Sequence, residues 1–198
     1  MIKHGMAGDT VDAAIGQADN AFTPIQLVRY IAMLSSGGKD PGVSIVKSVK
    51  DSNGNEVDKT DIQNYLNNEL GMNNSKLPDI NIDPSYLQAI LQGMKDVTTD
   101  EQGTAYSVFK NFNIEVGGKT GSAETGRKDE NKKDIVNAWF AGFAPYDNPE
   151  IAIVVNVENG KHGVYTSEVA RDIWTSYFGM NGDVQENRTA QPASGAQN

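Results

Sequence analysis

Apolar positions along the chain fall into two kinds of pattern, and the order of those patterns predicts the elements. Leu27, Ile31 and Leu34 recur at helical spacing, with Tyr30 beside them. Thr23-Pro24-Ile25-Gln26 precedes them: Thr23 can cap, Pro24 fits the first helical position and Gln26 completes a capping box. Gly37-Gly38 ends that helix. Val43 to Val49 alternates weakly and predicts a strand, and Asp51-Ser52-Asn53-Gly54-Asn55 predicts the turn of a hairpin. Residues 60 to 82 are polar and Asn-rich, a surface loop with one short helix near Ile62 to Leu70. Asp83-Pro84 starts a second long helix, whose stripe is Tyr86, Leu87, Ile90, Leu91 and Met94 and whose end falls near Val97.

The second half reads as strands. Asn137 to Pro145 and Ile151 to Val157 are strongly apolar runs joined by the turn Tyr146-Asp147-Asn148-Pro149, an antiparallel hairpin at the centre of a sheet. The charged stretch 124 to 134 predicts a solvated loop before them. A last helix runs from Thr166 to Tyr177, with Val169, Ile173 and Trp174 facing inward, and Gly179 ends it. Residues 181 to 198 are polar and small, a disordered tail, and residues 1 to 8 read as a start followed by added or linker residues.

Composition narrows the function classes. A chain of 198 residues with 38% hydrophobic residues can bury one domain core. Its net charge of −9 argues against nucleic-acid binding, which needs clustered Lys and Arg against phosphate. With no cysteine there is no disulfide, thiol nucleophile or Cys metal site, and two histidines, His4 and His162, suggest no metal centre and no cofactor. No apolar run reaches membrane-spanning length, and no signal peptide opens the chain.

The sharpest chemical signal is Lys119-Thr120-Gly121-Ser122, preceded by Gly117-Gly118. A Lys-Thr-Gly triplet alone reads more readily as a turn before a strand. Its setting adds weight: glycines permit close approach of another backbone or a ligand, a hydroxyl residue follows, and a long apolar hairpin comes next. A strand edge carrying a Lys, two hydroxyls and free backbone N–H groups suits an anionic substrate and a developing oxyanion. Trp139, Phe140 and Trp174 read as core, Glu124 and Arg127 as part of a solvated loop, and His162 as exposed in its polar turn.

Gly118 to Ala123 resembles the third motif of penicillin-binding proteins and serine β-lactamases. Ala138 to Pro145 and Asn148 to Val155, leading to Glu158-Asn159-Gly160, resemble the strands that follow it in class B penicillin-binding proteins. Upstream, Ile15-Gly16-Gln17, Thr23 to Leu27, Gly37-Gly38 and Gly103-Thr104-Ala105 resemble the segments that precede it, in family order, so the match runs from about residue 9 to 178. The resemblance implies an α/β fold of the α+β type, with an antiparallel sheet and packed helices. It implies acyl transfer: a serine attacks the D-Ala-D-Ala end of a peptidoglycan stem peptide, a second stem's amine takes the acyl group, and β-lactams acylate the same serine. Carried over by position, Lys119 contributes charge and polar contacts, Thr120 meets the terminal carboxylate with Gly121 beside it, and the Ser122 N–H supplies half of an oxyanion hole.

The family also needs a Ser-x-x-Lys at a helix start and a Ser-x-Asn on a facing loop. Ser36/Lys39, Ser44/Lys47 and Ser107/Lys110 have the spacing of the first, and Tyr65-Leu66-Asn67 imitates the second. Ser36 sits at a helix C-terminus, Ser44 in an extended stretch where positions three apart face opposite ways, and Ser107 follows no helix signal. The expectation is therefore that residues 9 to 180 are the C-terminal part of a transpeptidase domain, inactive alone, with the nucleophile and a membrane anchor upstream and the parent at the extracytoplasmic face of a bacterial membrane. Its partners would be stem peptides and β-lactams, and exposed surface left by the missing part favours self-association. The alternatives are a serine β-lactamase or D,D-carboxypeptidase, a non-catalytic β-lactam sensor, a cell-wall binding module, or a purely structural piece.

Overall fold

The computed structural model describes residues 22–44, 46–69, 78–160 and 162–180. The reading of 1–8 as added residues, His4, Ile15-Gly16-Gln17 and the expected tail 181–198 lie outside the described residues. In chain order the elements are α1 (Pro24–Ser35), α2 (Lys59–Asn68), α3 (Pro84–Thr99), α4 (Tyr106–Phe109), β1 (Gly117–Lys128), β2 (Asp134–Ala144), β3 (Ile151–Val157) and α5 (Val164–Tyr177).

Local chemistry explains the helix starts. Thr23 and Gln26 form the capping box, the Thr23 N–H donating to Gln26 Oε1 at 2.9 Å while the Thr23 hydroxyl accepts from the Gln26 N–H. Asp58 and Asp83 cap α2 and α3 by accepting from the Thr60 and Ser85 N–H groups, at 2.7 and 2.8 Å. These bonds hold both carboxyls below the usual carboxylate range, the Ser85 hydroxyl being the largest cause at Asp83. Gly37 and Gly38 end α1 at φ 73° and 88°, where a side chain would be strained. Just beyond, the guanidinium of Arg29 pairs with the buried Asp40 carboxylate and ties the loop back to α1.

The sheet order is β1-β2-β3, antiparallel throughout, with β2 in the middle and β3 at an edge among the described residues. β2 and β3 pair as the two apolar runs predict, from Ala138 opposite Val157 to Ala144 opposite Ile151. Helices cover both faces. On one, Ala105, Val108, Phe109, Val116, Phe140, Ile153, Ala170 and Trp174 form a core between the sheet and α4 and α5. On the other, Ile31, Met94 and Phe143 pack with Leu91, Ala141 and Ala152, joining α1 and α3 to the sheet. Phe109, Phe140 and Trp174 form a ring cluster with centroids 5.7 to 6.0 Å apart.

Four expectations are corrected. The stretch 43 to 49 forms no strand among its described residues, and the hairpin shrinks to one bridge, Lys50 opposite Glu56. The charged region 124 to 134 is largely exposed as expected but is loop only over 129 to 133: β1 runs to Lys128 and β2 begins at Asp134, because Thr125 Oγ1 donates to the Ile135 carbonyl at 2.8 Å and Lys128 pairs with Asp134 at 2.8 Å. In α5 only Trp174 of the three named residues is buried. Val169 and Ile173 are exposed with Tyr165 and Tyr177, one every fourth position, while Thr166, Ala170 and Trp174 meet the sheet. Ala170 has no bulk to hold the helix off, so the face with Thr166, Ala170 and Trp174 docks and the stripe Tyr165, Val169, Ile173 and Tyr177 is left outward. In α3 the expected stripe is only partly inward: Leu87 and Leu91 are half-buried and Met94 and Thr98 buried, whereas Tyr86 and Ile90 are exposed.

Candidate active site

The motif strand is positioned by what lies just before it. Thr98, fully buried on α3, donates its hydroxyl to the Val116 carbonyl at 2.7 Å and fixes the approach to β1. Gly117 and Gly118 follow, both buried, and their role is cross-strand packing. A Cβ on Gly118 would stand 2.5 Å from the Phe140 ring, and one on Gly117 2.6 Å from the Phe143 ring. The two glycines thus let two large rings lie across β1, and the close neighbour is a side chain of the protein itself rather than a ligand.

Pairing then sets which way each motif residue faces. Thr120 lies opposite Phe140 and Ser122 opposite Ala138, so both hydroxyl residues occupy the face carrying the ring cluster; Lys119 lies opposite Ala141 and faces α1 and α3. Lys119 and Ser122 are exposed, Thr120 and Gly121 half-buried. The Lys119 ammonium donates to the Thr120 carbonyl. β1 is an edge strand, so its outer backbone groups have no strand partner among the described residues.

Two residues outside the motif shape it. The Thr104 and Thr120 hydroxyl oxygens are 2.7 Å apart. Gly163, immediately before α5, lies against Gly121, and a Cβ there would stand 2.6 Å from the Gly121 carbonyl oxygen and 2.8 Å from its nitrogen. Sequence reasoning reaches Gly103-Thr104-Ala105 only as a segment and Gly163 only as part of a polar turn. A hydroxyl pair separated by 16 residues leaves no local signal, and a glycine after His162 looks like any turn glycine.

The three Ser-x-x-Lys spacings lie elsewhere. Ser36 is the residue after α1, its hydroxyl 2.6 Å from the Lys39 carbonyl; the Ser44 hydroxyl lies 3.0 Å from the Val46 carbonyl, outside any helix or strand; Ser107 is exposed within the four-residue α4, and Lys110 caps that helix. Tyr65 to Asn67 belongs to α2, which buries no residue. Glu124, Arg127 and His162 are exposed, Trp139 is half-buried, and Phe140 and Trp174 are fully buried. No group of three or more His, Cys, Asp or Glu side chains among the described residues is arranged to hold a metal ion, and no described helix is long and apolar enough to cross a membrane.

This geometry places an exposed ammonium, a hydroxyl held by a second hydroxyl, and open backbone groups within four consecutive residues, a combination suited to an anionic group and to charge developing on a carbonyl oxygen. Comparison with known proteins points the same way. Residues 3–175 match the family model described as the penicillin binding protein transpeptidase domain. Penicillin-binding protein 2A of Bacillus subtilis is 29% identical over 94% of this chain and 26% of its own length. The peptidoglycan D,D-transpeptidase MrdA of Haemophilus influenzae is 30% identical over 79% of this chain and 23% of its own length. The chain thus spans about a quarter of these relatives. Among solved structures, Pseudomonas aeruginosa PBP2 in complex with WCK 5153 superposes with a TM-score of 0.66 at 28% identity, covering 88% of this chain and 34% of that one. The antiparallel sheet with helices on both faces, the Lys-Thr-Gly strand at its edge and these matches together establish that the chain belongs to the penicillin-binding protein transpeptidase family, on its class B branch.

Proposed function

We propose that this chain is the C-terminal part of the transpeptidase domain of a serine D,D-transpeptidase that cross-links peptidoglycan stem peptides and is acylated by β-lactams. The observation that carries the proposal is the edge strand Lys119-Thr120-Gly121-Ser122, with Lys119 exposed and the Thr120 hydroxyl held by Thr104. In this reading Lys119 supplies positive charge, Thr120 donates to the substrate's terminal carboxylate beside Gly121, and the Ser122 N–H donates to the oxyanion of the tetrahedral intermediate. The catalytic serine, its Ser-x-x-Lys lysine and the Ser-x-Asn loop come from residues outside this chain. What supports that is the placing of Ser36 at the C-terminal end of α1, Ser44 outside any helix, and Ser107 in a helix of only four residues, together with the quarter-length span against the relatives.

The parent works at the extracytoplasmic face of the membrane, held there by an upstream segment. The piece alone is inactive, and its outward stripe Tyr165, Val169, Ile173 and Tyr177 gives it a surface for self-association. The test is labelling with a fluorescent penicillin, followed by intact-mass spectrometry. The intact protein should take up one label on a serine upstream of this chain, and the 198-residue chain should take up none. A stoichiometric adduct on Ser36, Ser44 or Ser107 would refute the division of the site, and an intact protein that takes no label would refute the transpeptidase reading itself.

A further inference from the structure

We infer that Thr104 is a positioning residue for the acylation chemistry: its hydroxyl sets the Thr120 hydroxyl as a donor toward the substrate's carboxylate. The inference rests on the proposed reading of Thr120 as the carboxylate contact. Its geometric basis is the 2.7 Å separation of the two hydroxyl oxygens, the distance of a good O–H···O bond, made between side chains 16 residues apart.

Proton arithmetic gives the bond a direction. Each hydroxyl has one proton and can both donate and accept, whereas an ionised carboxylate only accepts. If Thr120 gave its proton to Thr104, it could offer a carboxylate only lone pairs, which repel. Thr120 must therefore donate outward, and its oxygen is then free to accept from Thr104. The result is a chain from the Thr104 O–H to the Thr120 O–H to the carboxylate, in which each bond polarises the next. Thr104 completes it without needing a charge of its own.

The segment around Thr104 is built to hold that hydroxyl still. The Gly103 N–H donates to the Asp100 carbonyl at 2.8 Å, and the Ala105 N–H to the Val97 carbonyl at 3.0 Å, so the turn is clamped to the last turn of α3 on both sides of Thr104. Gly103 has no room for a side chain, since a Cβ would stand 2.5 Å from the Val97 carbonyl oxygen, and Ala105 is completely buried. Thr104 itself is exposed. Its neighbours carry the packing, and its own side chain is left for Thr120. α3 also fixes the start of β1 through Thr98 and Val116, so one helix sets the position of both hydroxyls.

The test measures acylation rate constants in the intact protein, with a penicillin carrying its free carboxylate and with the methyl ester of the same compound. Thr104→Val keeps the shape and removes the hydroxyl. It should slow the acid by about 3- to 10-fold, the effect of one neutral hydrogen bond, and leave the ester near the wild-type rate. Thr104→Ser should restore the acid. In a Thr120→Val background, Thr104→Val should add nothing, because the atom through which it acts is gone. If Thr120→Val slows the acid and Thr104→Val does not, the inference fails while the reading of Thr120 stands. If Thr120→Val is itself without effect, the carboxylate reading fails. Additive losses in the double variant, or equal slowing of acid and ester with a lowered melting temperature, would make Thr104 a structural residue and overturn the proposal.

Discussion

Gly163 stands so close to Gly121 that a methyl group on its α-carbon would lie 2.6 Å from the Gly121 carbonyl oxygen and 2.8 Å from the Trp139 carbonyl oxygen. The start of α5 is thereby seated directly on the motif strand and its neighbour. All of these contacts are backbone atoms, which cannot swing aside as a flexible side chain would. Gly163→Ala must push α5 and β1 apart, and overpacking of this kind typically costs about 1–3 kcal/mol. Urea denaturation of the chain should show that loss, and in the intact protein acylation by a penicillin should slow as well. Equal stability of Gly163→Ala and wild type would mean that the helix start is not held against the strand.

Gly93 behaves in the opposite way. It lies inside α3 and is exposed, a methyl group on its α-carbon would meet no atom within 4 Å, and its φ is not positive. A helical glycine with free space stabilises less than alanine, through the greater freedom of the unfolded chain. Gly93→Ala should therefore raise stability by about 0.5–1 kcal/mol, seen as a higher urea midpoint with an unchanged slope. A destabilised variant would indicate a contact on that face that the described residues do not supply.

Much of this fold was legible because its signals are local. The Thr23/Gln26 box, the Asp83-Pro84 start and the apolar-rich run Ile151 to Val157 each specify their element within a few residues, and the structure has all three. The motif was legible for the same reason. What local pattern could not give was orientation and pairing. In α5 two apolar stripes compete, and the winner, with Ala170 and Trp174, is decided by how closely the helix can approach the sheet. The charged stretch after Glu124 reads as loop because strand formation there depends on cross-strand partners, Thr125 with Ile135 and Lys128 with Asp134, rather than on hydrophobicity. Thr104 and Gly163 gain their places only once the chain has folded.

Trp174 tests the core beneath the site. It is completely buried, its ring lies 5.7 Å from Phe109 and 6.0 Å from Phe140 by centroid, and its indole Nε1 has no hydrogen-bond partner among the described residues. Trp174→Ala should cost about 3–5 kcal/mol as a large aromatic deletion. Trp174→Phe keeps a ring in the cluster and removes the unpaired donor, whose burial is itself unfavourable, so it should cost less than about half of the alanine change. Thermal melts of the two variants give the comparison. Equal losses would show that the indole N–H is satisfied and contributes to stability.

The remaining prediction separates the roles along the motif strand in the intact protein. Lys119 is exposed on the face opposite Thr120, so its removal leaves no cavity, and Lys119→Ala should slow acylation far more than it lowers stability. Loss of one such electrostatic contact typically corresponds to a few kcal/mol, on the order of 10²-fold or more in rate. Thr120→Val keeps the β-branched shape that suits a strand opposite Phe140 and loses the hydroxyl, so it should chiefly weaken handling of compounds with a free carboxylate. Ser122→Ala should be mild, because the proposed contribution is a backbone N–H that alanine retains. Acylation rates with a penicillin across the three variants, with thermal melts alongside, distinguish these roles. A Ser122→Ala variant as slow as Lys119→Ala would show that the hydroxyl, not the N–H, makes the contact; full-speed acylation by Lys119→Ala would remove the charge from the mechanism.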